Sequence, residues 1–138
     1  MDEDDSLLAA YHARNSEALR NAVTHVKKKE SAPLLAKLLL EQWHDSHEDI
    51  VFKLGLIGDP RTVEAIARAA VISFNHLIEW DNLHEFQRKC AYALARIGTS
   101  ESRNALETLA QHSDPHLREY GQEGLQKWPL PYKGDDYV

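Results

Sequence analysis

Residues 90–98 read Cys90-Ala91-Tyr92-Ala93-Leu94-Ala95-Arg96-Ile97-Gly98. Apolar side chains at Cys90, Leu94 and Ile97 recur at steps of four and three, the spacing that lines up on one face of an α-helix. Gly98 follows at once, where a helix ends in a left-handed residue that costs glycine least. The stretch therefore predicts a helix that buries one stripe and stops at Gly98. Moving outward, the same spacing recurs at Leu34, Leu35, Leu38 and Leu39, at Ile50, Leu54 and Ile57, and at Val63, Ile66 and Ala70. It recurs again at Ala105, Leu106 and Leu109, then at Leu117, Tyr120, Leu125 and Trp128. No run of alternating β-branched residues stands between hairpin turns, so no strand is predicted.

Punctuation agrees with the stripes. Pro33, Pro60 and Pro115 fall where first helical turns begin, with Ser31, Asp59 and Asp114 ahead of them as expected N-caps. Gly58 closes the Ile50 stripe as Gly98 closes the Cys90 stripe. Helices are predicted over 5–13, 16–29, 32–43, 47–57, 60–73, 83–97, 101–111 and 115–128. They repeat as pairs. Leu19, Val23 and Val26 map onto Ile50, Leu54 and Ile57 at an offset of 31, and Phe86, Cys90, Ala93 and Leu94 map onto Leu117, Gly121, Gly124 and Leu125 at the same offset. Ile50, Leu54, Ile57 and Gly58 map onto Cys90, Leu94, Ile97 and Gly98 at an offset of 40. The unit of about 31 residues thus carries an insertion in its third connection, over 73–82. A helix pair of this length cannot bury its own stripe, and stacking pairs makes a continuous core.

The residues that carry the match resemble HEAT-like repeats. Asp114-Pro115-His116-Leu117-Arg118 is similar to the family's Asp-Pro-x-Val-Arg helix opening, and 91–98 is similar to its Ala-x-x-Ala-Leu-Gly-x-Ile-Gly close. Leu54-Gly55-Leu56-Ile57-Gly58-Asp59 is similar again. The resemblance covers roughly residues 16–128. It implies an all-α fold, a short right-handed α-solenoid of about four helix pairs. One HEAT-like domain is expected over 1–131, with an acidic segment and cap helix at 1–15 and an acidic tail at 132–138. Gly121 and Gly124 stand where the family favours Ala, which implies either unusually close helix approach or a weaker terminal repeat.

The chain has 138 residues and a net charge of −6, four units of which come from Asp2, Glu3, Asp4 and Asp5. Such ends repel nucleic acid and suit a basic protein partner, or act simply as solvated termini. Lys27-Lys28-Lys29 is the only basic run, is expected in the last turn of a helix, and does not outweigh that balance. No segment approaches the roughly 18–20 apolar residues of a membrane span, and the acidic start is unlike a secretory signal; the cytoplasm is expected. The lone Cys90 sits on an apolar stripe and reads as a buried structural thiol.

Eight histidines raise the question of metal. His44-Asp45-Ser46-His47-Glu48-Asp49 spaces its histidines three apart across a turn, not four apart on one helical face as in His-Glu-x-x-His, so capping and a solvated turn are expected. The HEAT-like deoxyhypusine hydroxylases bind two irons through repeated His-Glu pairs. Their register, counted back from Leu54 and Leu94, falls on Glu48 and Arg88 rather than on His47 and His84. No metal site and no cofactor are expected. HEAT-like bilin lyases are a further enzymatic relative, without a positive mark here.

What packing does not explain is the insertion. Trp80 lies in it beside Glu79 and Asp81, with Phe74 and His76 upstream. An aromatic in a loop that interrupts a solenoid suits a binding anchor, and its acidic neighbours suit a basic partner. The alternative is a short helix folded back, with Phe74, Leu77 and Ile78 on the core and Trp80 closing it. The expected function is a non-catalytic protein-binding module. By resemblance to small acidic HEAT-like immunity proteins, it would block a toxin domain with a basic surface. A metal-dependent or bilin-lyase-type enzyme and a generic assembly scaffold remain the alternatives.

Overall fold

A computed structural model describes residues 2–130; the expected boundary at 131 and the tail 132–138 lie outside the described residues. The described residues form nine α-helices and no strand: α1 (Glu3–Ala13), α2 (Ser16–Thr24), α3 (Ala32–Leu39), α4 (His47–Ile57), α5 (Val63–Ala70), α6 (Asn75–Glu79), α7 (Leu83–Ile97), α8 (Ser100–Ala110) and α9 (Pro115–Lys127). Single 3-10 turns at Lys29–Ser31 and Pro60–Thr62 lead into α3 and α5. Helices α2, α4, α7 and α9 lie side by side in one layer, and α1, α3, α5 and α8 in a second. The chain alternates between the layers, and α6 is inserted between α5 and α7. One hydrophobic cluster runs between the layers from Leu7 to Leu117.

Local chemistry sets most boundaries. Asp2, Asn15 and Thr99 accept hydrogen bonds from the backbone N–H three residues on, and Thr99 and Ser102 cap each other reciprocally. Asp59 and Asp114 accept from the N–H of Arg61 and His116, both at 2.9 Å, as expected of them. Gly58 and Gly98 sit at φ +73° and +72°, the left-handed conformation that ends α4 and α7.

Several boundaries depart from the sequence reading: α3 ends at Leu39 rather than at 43, and α5 spans Val63–Ala70 rather than 60–73, with a 3-10 turn over Pro60–Thr62. α2 ends at Thr24 rather than at 29, because the backbone N–H groups of Lys27 and Lys28 donate to the Glu3 carboxylate of α1. The lysine run therefore lies in an extended connection and a 3-10 turn, not in a last helical turn. Ser31 is buried and makes no cap bond; its hydroxyl donates to Glu3 at 3.1 Å and Asp4 at 2.8 Å. The acidic start is thus partly built into the fold.

The glycines of α9 mark close approach. A Cβ on Gly121 would stand 2.4 Å from the backbone N of Ala110 and 2.7 Å from the backbone C of Leu109; one on Gly124 would stand 2.5 Å from Leu106 Cδ2. The backbone of α8 fills the space that the family's alanine takes. Two outcomes follow for urea unfolding. Leu94→Ala removes a fully buried side chain from the centre of α7, which is expected to cost about 2–5 kcal/mol. Gly121→Ala is expected to destabilise as well, although Ala in a helix interior is worth up to about 1 kcal/mol over Gly, because the clash is with backbone that cannot step aside. A neutral Leu94→Ala or a stabilising Gly121→Ala contradicts this packing.

Candidate interaction site at the α6 insertion

The inserted connection folds as α6, with its apolar residues divided between two faces. Phe74 and Leu77, three apart, point inward and are each 1% exposed. The Phe74 ring meets Phe86 of α7 edge-on at 5.7 Å between centroids. Ile78 and Trp80 point outward and are 53% and 54% exposed. Asn82 N–H donates to Leu77 O at 2.8 Å, and Asp81 adopts φ +58°, turning the chain into α7. A positive φ is costly for most residues and least so for Asn and Asp among those with side chains. Phe74, expected as a contact residue, therefore belongs to the core; the folded-back helix is right for Phe74 and Leu77 and wrong for Ile78 and Trp80. Glu79 and Asp81 are exposed on either side of Trp80. Val71, at the end of α5, is 50% exposed. Ile78 and Val71 were missed as site residues, although the insertion that holds Ile78 was legible.

Beneath this face lies a ladder of rings. Centroid separations are 5.0 Å for Trp43–His44, 4.1 Å for His44–His47, 4.9 Å for His47–His76 and 5.2 Å for His76–Trp80. Phe74 closes on His47 at 3.9 Å. The partners fix the tautomers. His44 Nε2–H donates to Leu38 O at 2.7 Å while its Nδ1 accepts from Ser46 N–H at 3.0 Å. His47 Nε2–H donates to Glu41 O at 2.7 Å. An accepting Nδ1 makes the His44 ring neutral. Burial drives His47 down to about 3, with repulsion from His44 adding to it. Burial also lowers His44 and the partly buried His76. The sequence reading of this stretch as a solvated turn is overturned, since His47 is 0% exposed.

Five buried side-chain atoms without a hydrogen-bond partner among the described residues gather here: Trp43 Nε1, Asp45 Oδ1, Ser46 Oγ, His47 Nδ1 and His76 Nε2. Ring faces pack on one another here beside the hydrogen bonds of His44 and His47. Among the described residues no group of three or more His, Cys, Asp or Glu side chains is arranged to hold a metal ion. Glu48, beside His47, pairs with Lys89 at 2.8 Å, and His84 stacks on His116 at 3.8 Å. Cys90 is fully buried, and burial pushes its thiol well above the ordinary range.

Residues 86–114, which span most of α7, all of α8 and the turn into α9, match the family model of the PBS lyase HEAT-like repeat. The match supports a HEAT-like repeat protein, as the stacked helices do. Neither a curated protein nor a solved structure matches the chain. No described helix is long and apolar enough to cross a membrane.

The ring ladder predicts acid lability. Each imidazole is held below the ordinary 6.5, so below pH 6.5 the unfolded chain takes up protons that the folded one refuses. Stability is level above pH 6.5 and falls as pH drops toward about 3, where folded His47 also protonates. At pH 5, His47 alone is expected to account for about 2 kcal/mol, before carboxylates titrate appreciably. Urea midpoints between pH 7.5 and 4.5 measure this. A flat profile, or one unchanged by His47→Gln, contradicts the burial.

Proposed function

We propose that this chain is a non-catalytic protein-binding module, a right-handed solenoid of four HEAT-like helix pairs that docks a basic partner on its α6 insertion. The observation that carries the reading is the outward face of the insertion. Ile78 and Trp80 are two of the five large apolar side chains exposed among the described residues, and Glu79 and Asp81 flank the indole. Fully desolvated aromatic anchors dominate binding energy, and acidic neighbours steer a cationic partner. Phe74 and Leu77 tie this face to the core, so it is presented rigidly and little ordering cost falls on binding.

The partner we propose is a toxin domain with a basic surface, and the role is that of a cytoplasmic immunity protein that covers the toxin's active site or substrate path. HEAT-like repeat architecture, small size and a net charge of −6 support this reading. A protein partner fits the exposed face better than nucleic acid does, given that charge.

Co-expression with a toxin encoded immediately upstream of this chain's gene tests the role: growth is expected to be rescued, and unrescued growth overturns it. Against that toxin, Trp80→Ala should weaken binding roughly thirtyfold or more with little change in melting temperature, since the indole is half exposed. A large fall in melting temperature with unchanged affinity removes Trp80 from the interface. Glu79→Lys with Asp81→Lys should chiefly slow association and flatten its salt dependence. Purified protein is expected to carry no stoichiometric zinc or iron. Two metal equivalents, lost in His84→Ala, would favour a metal-dependent enzyme instead.

A further inference from the structure

Few side chains hold α6 to the stacked repeats, and they meet at one imidazole. Phe74 and Leu77 are the buried residues of the insertion. Phe74 lies on the His47 ring of α4 at 3.9 Å, and His76 stacks on the same ring at 4.9 Å. His44 covers it as well, at 4.1 Å. His47 is 0% exposed, and its Nδ1 and the Nε2 of His76 are buried without a hydrogen-bond partner among the described residues. A proton added to either nitrogen is buried with no acceptor in reach, which is costly.

Charges face this stack from each side. Asp45, ahead of α4, holds Arg20 of α2 at 2.7 Å through one oxygen, and its other oxygen is buried and unpartnered. Glu48 of α4 is held by Lys89 of α7 at 2.8 Å and by the Asn82 amide at 3.4 Å. Glu79 belongs to α6 itself. Burial of the His76 ring opposes its charged form and outweighs the pull of these three carboxylates. On His47 burial is again the largest cause, the His44 and His76 rings add to it, and Asp45 offsets only part. α7 adds Phe86, edge-on to His47 at 6.3 Å and uncharged.

The repeats do not need the insertion in return. It stands outside their register, and α7 packs on α4, α5, α8 and α9 through a stripe that includes Cys90 and Leu94. Five residues have no helical stability of their own, so α6 is ordered only while docked. We propose that α6 is an acid-released docking element: protonation of the His47–His76 stack frees the insertion while the stacked repeats stay folded, and the partner is let go as pH falls. This rests on the reading of α6 as the docking face and adds its regulation. The released rings titrate near 6.5, so release grows below that pH. With docked His47 at about 3, protonation of that ring alone favours release about thirtyfold at pH 5. Once released, Trp80, Glu79 and Asp81 lose the fixed backbone that presents them, and binding then carries the cost of ordering it.

Amide hydrogen exchange of the free, full chain at pH 7.5 and pH 5, each rate divided by the intrinsic rate at its pH, tests this with no partner present. The reporters are the N–H groups of Leu77, Ile78, Trp80 and Asn82, all bonded within the insertion, against those of Cys90 and Leu94 in α7. Protection of the α6 reporters is expected to fall about thirtyfold on acidification and to stay at least about tenfold below that of α7 at both pH values. His47→Gln is expected to lose most of that fall. Three results overturn the proposal. The first is α6 protection that is unchanged or raised at pH 5, a rise being what pairing of charged His76 with Asp45 would give. The second is α6 exchanging at the rate of α7, which means release by global unfolding. The third is a fall undiminished in His47→Gln. Wild type alone decides the first two, whether or not the variant folds. The docking reading is judged separately, by the Trp80→Ala affinity at pH 7.5, where the insertion is docked.

Discussion

No helix pair in this chain carries enough apolar surface to hide its own stripe, so each pair is held by the next, and the stacking converges on α7. Phe86, Cys90 and Leu94 of that helix are fully buried, and α7 touches α4 and α9 in its own layer and α5 and α8 in the other. Remove that helix and the remaining stripes face water. The close approaches follow from the same constraint. Gly55 admits Ala93 of α7, Gly124 admits Leu106 and Ala91, and Gly121 admits the backbone of α8. At Gly121 this stacking leaves no room for a β-carbon against the backbone of α8, while at Gly55 and Gly124 one would be tight against Ala93 and the end of the Leu106 side chain.

The inserted helix α6 depends on this scaffold. A five-residue helix has no stability of its own in water. α6 exists because Phe74 and Leu77 enter the core, because His76 stacks on His47, and because Phe74 packs at a tilt on His47. The arrangement carries a vulnerability, since the rings that hold α6 are neutral imidazoles with unpartnered nitrogens in a buried site, and protonation disrupts them. The face that carries the exposed indole is thereby coupled to the end of α3 and the start of α4 through Trp43, His44 and His47.

Much of this was legible in the sequence because it is local. The extent of α7, the left-handed Gly58 and Gly98, and the Asp59 and Asp114 caps follow from spacing and turn chemistry within a few residues. The broken register at 73–82 also pointed to the insertion. What was not legible depends on residues distant in sequence. α2 stops at Thr24 because Glu3 of α1 takes the N–H groups of Lys27 and Lys28. His47 reads as a solvated turn until Phe74 and His76 supply ring faces from the far side of α5. Which side of α6 turns inward depends on the partner ring of Phe86, so Phe74 is buried although the sequence reads it as a contact, and Ile78 is exposed although the folded-back alternative places it on the core.

The central claim is that α6 is a docking face fixed on a stacked scaffold. Amide hydrogen exchange compared between the free chain and its complex with the proposed toxin partner tests it most directly. The account predicts slowed exchange concentrated in residues 71–82, with α8 unchanged and α7 already the best protected helix in the free chain. Protection falling on α8 and α9, with residues 71–82 exchanging as they do in the free chain, would contradict it.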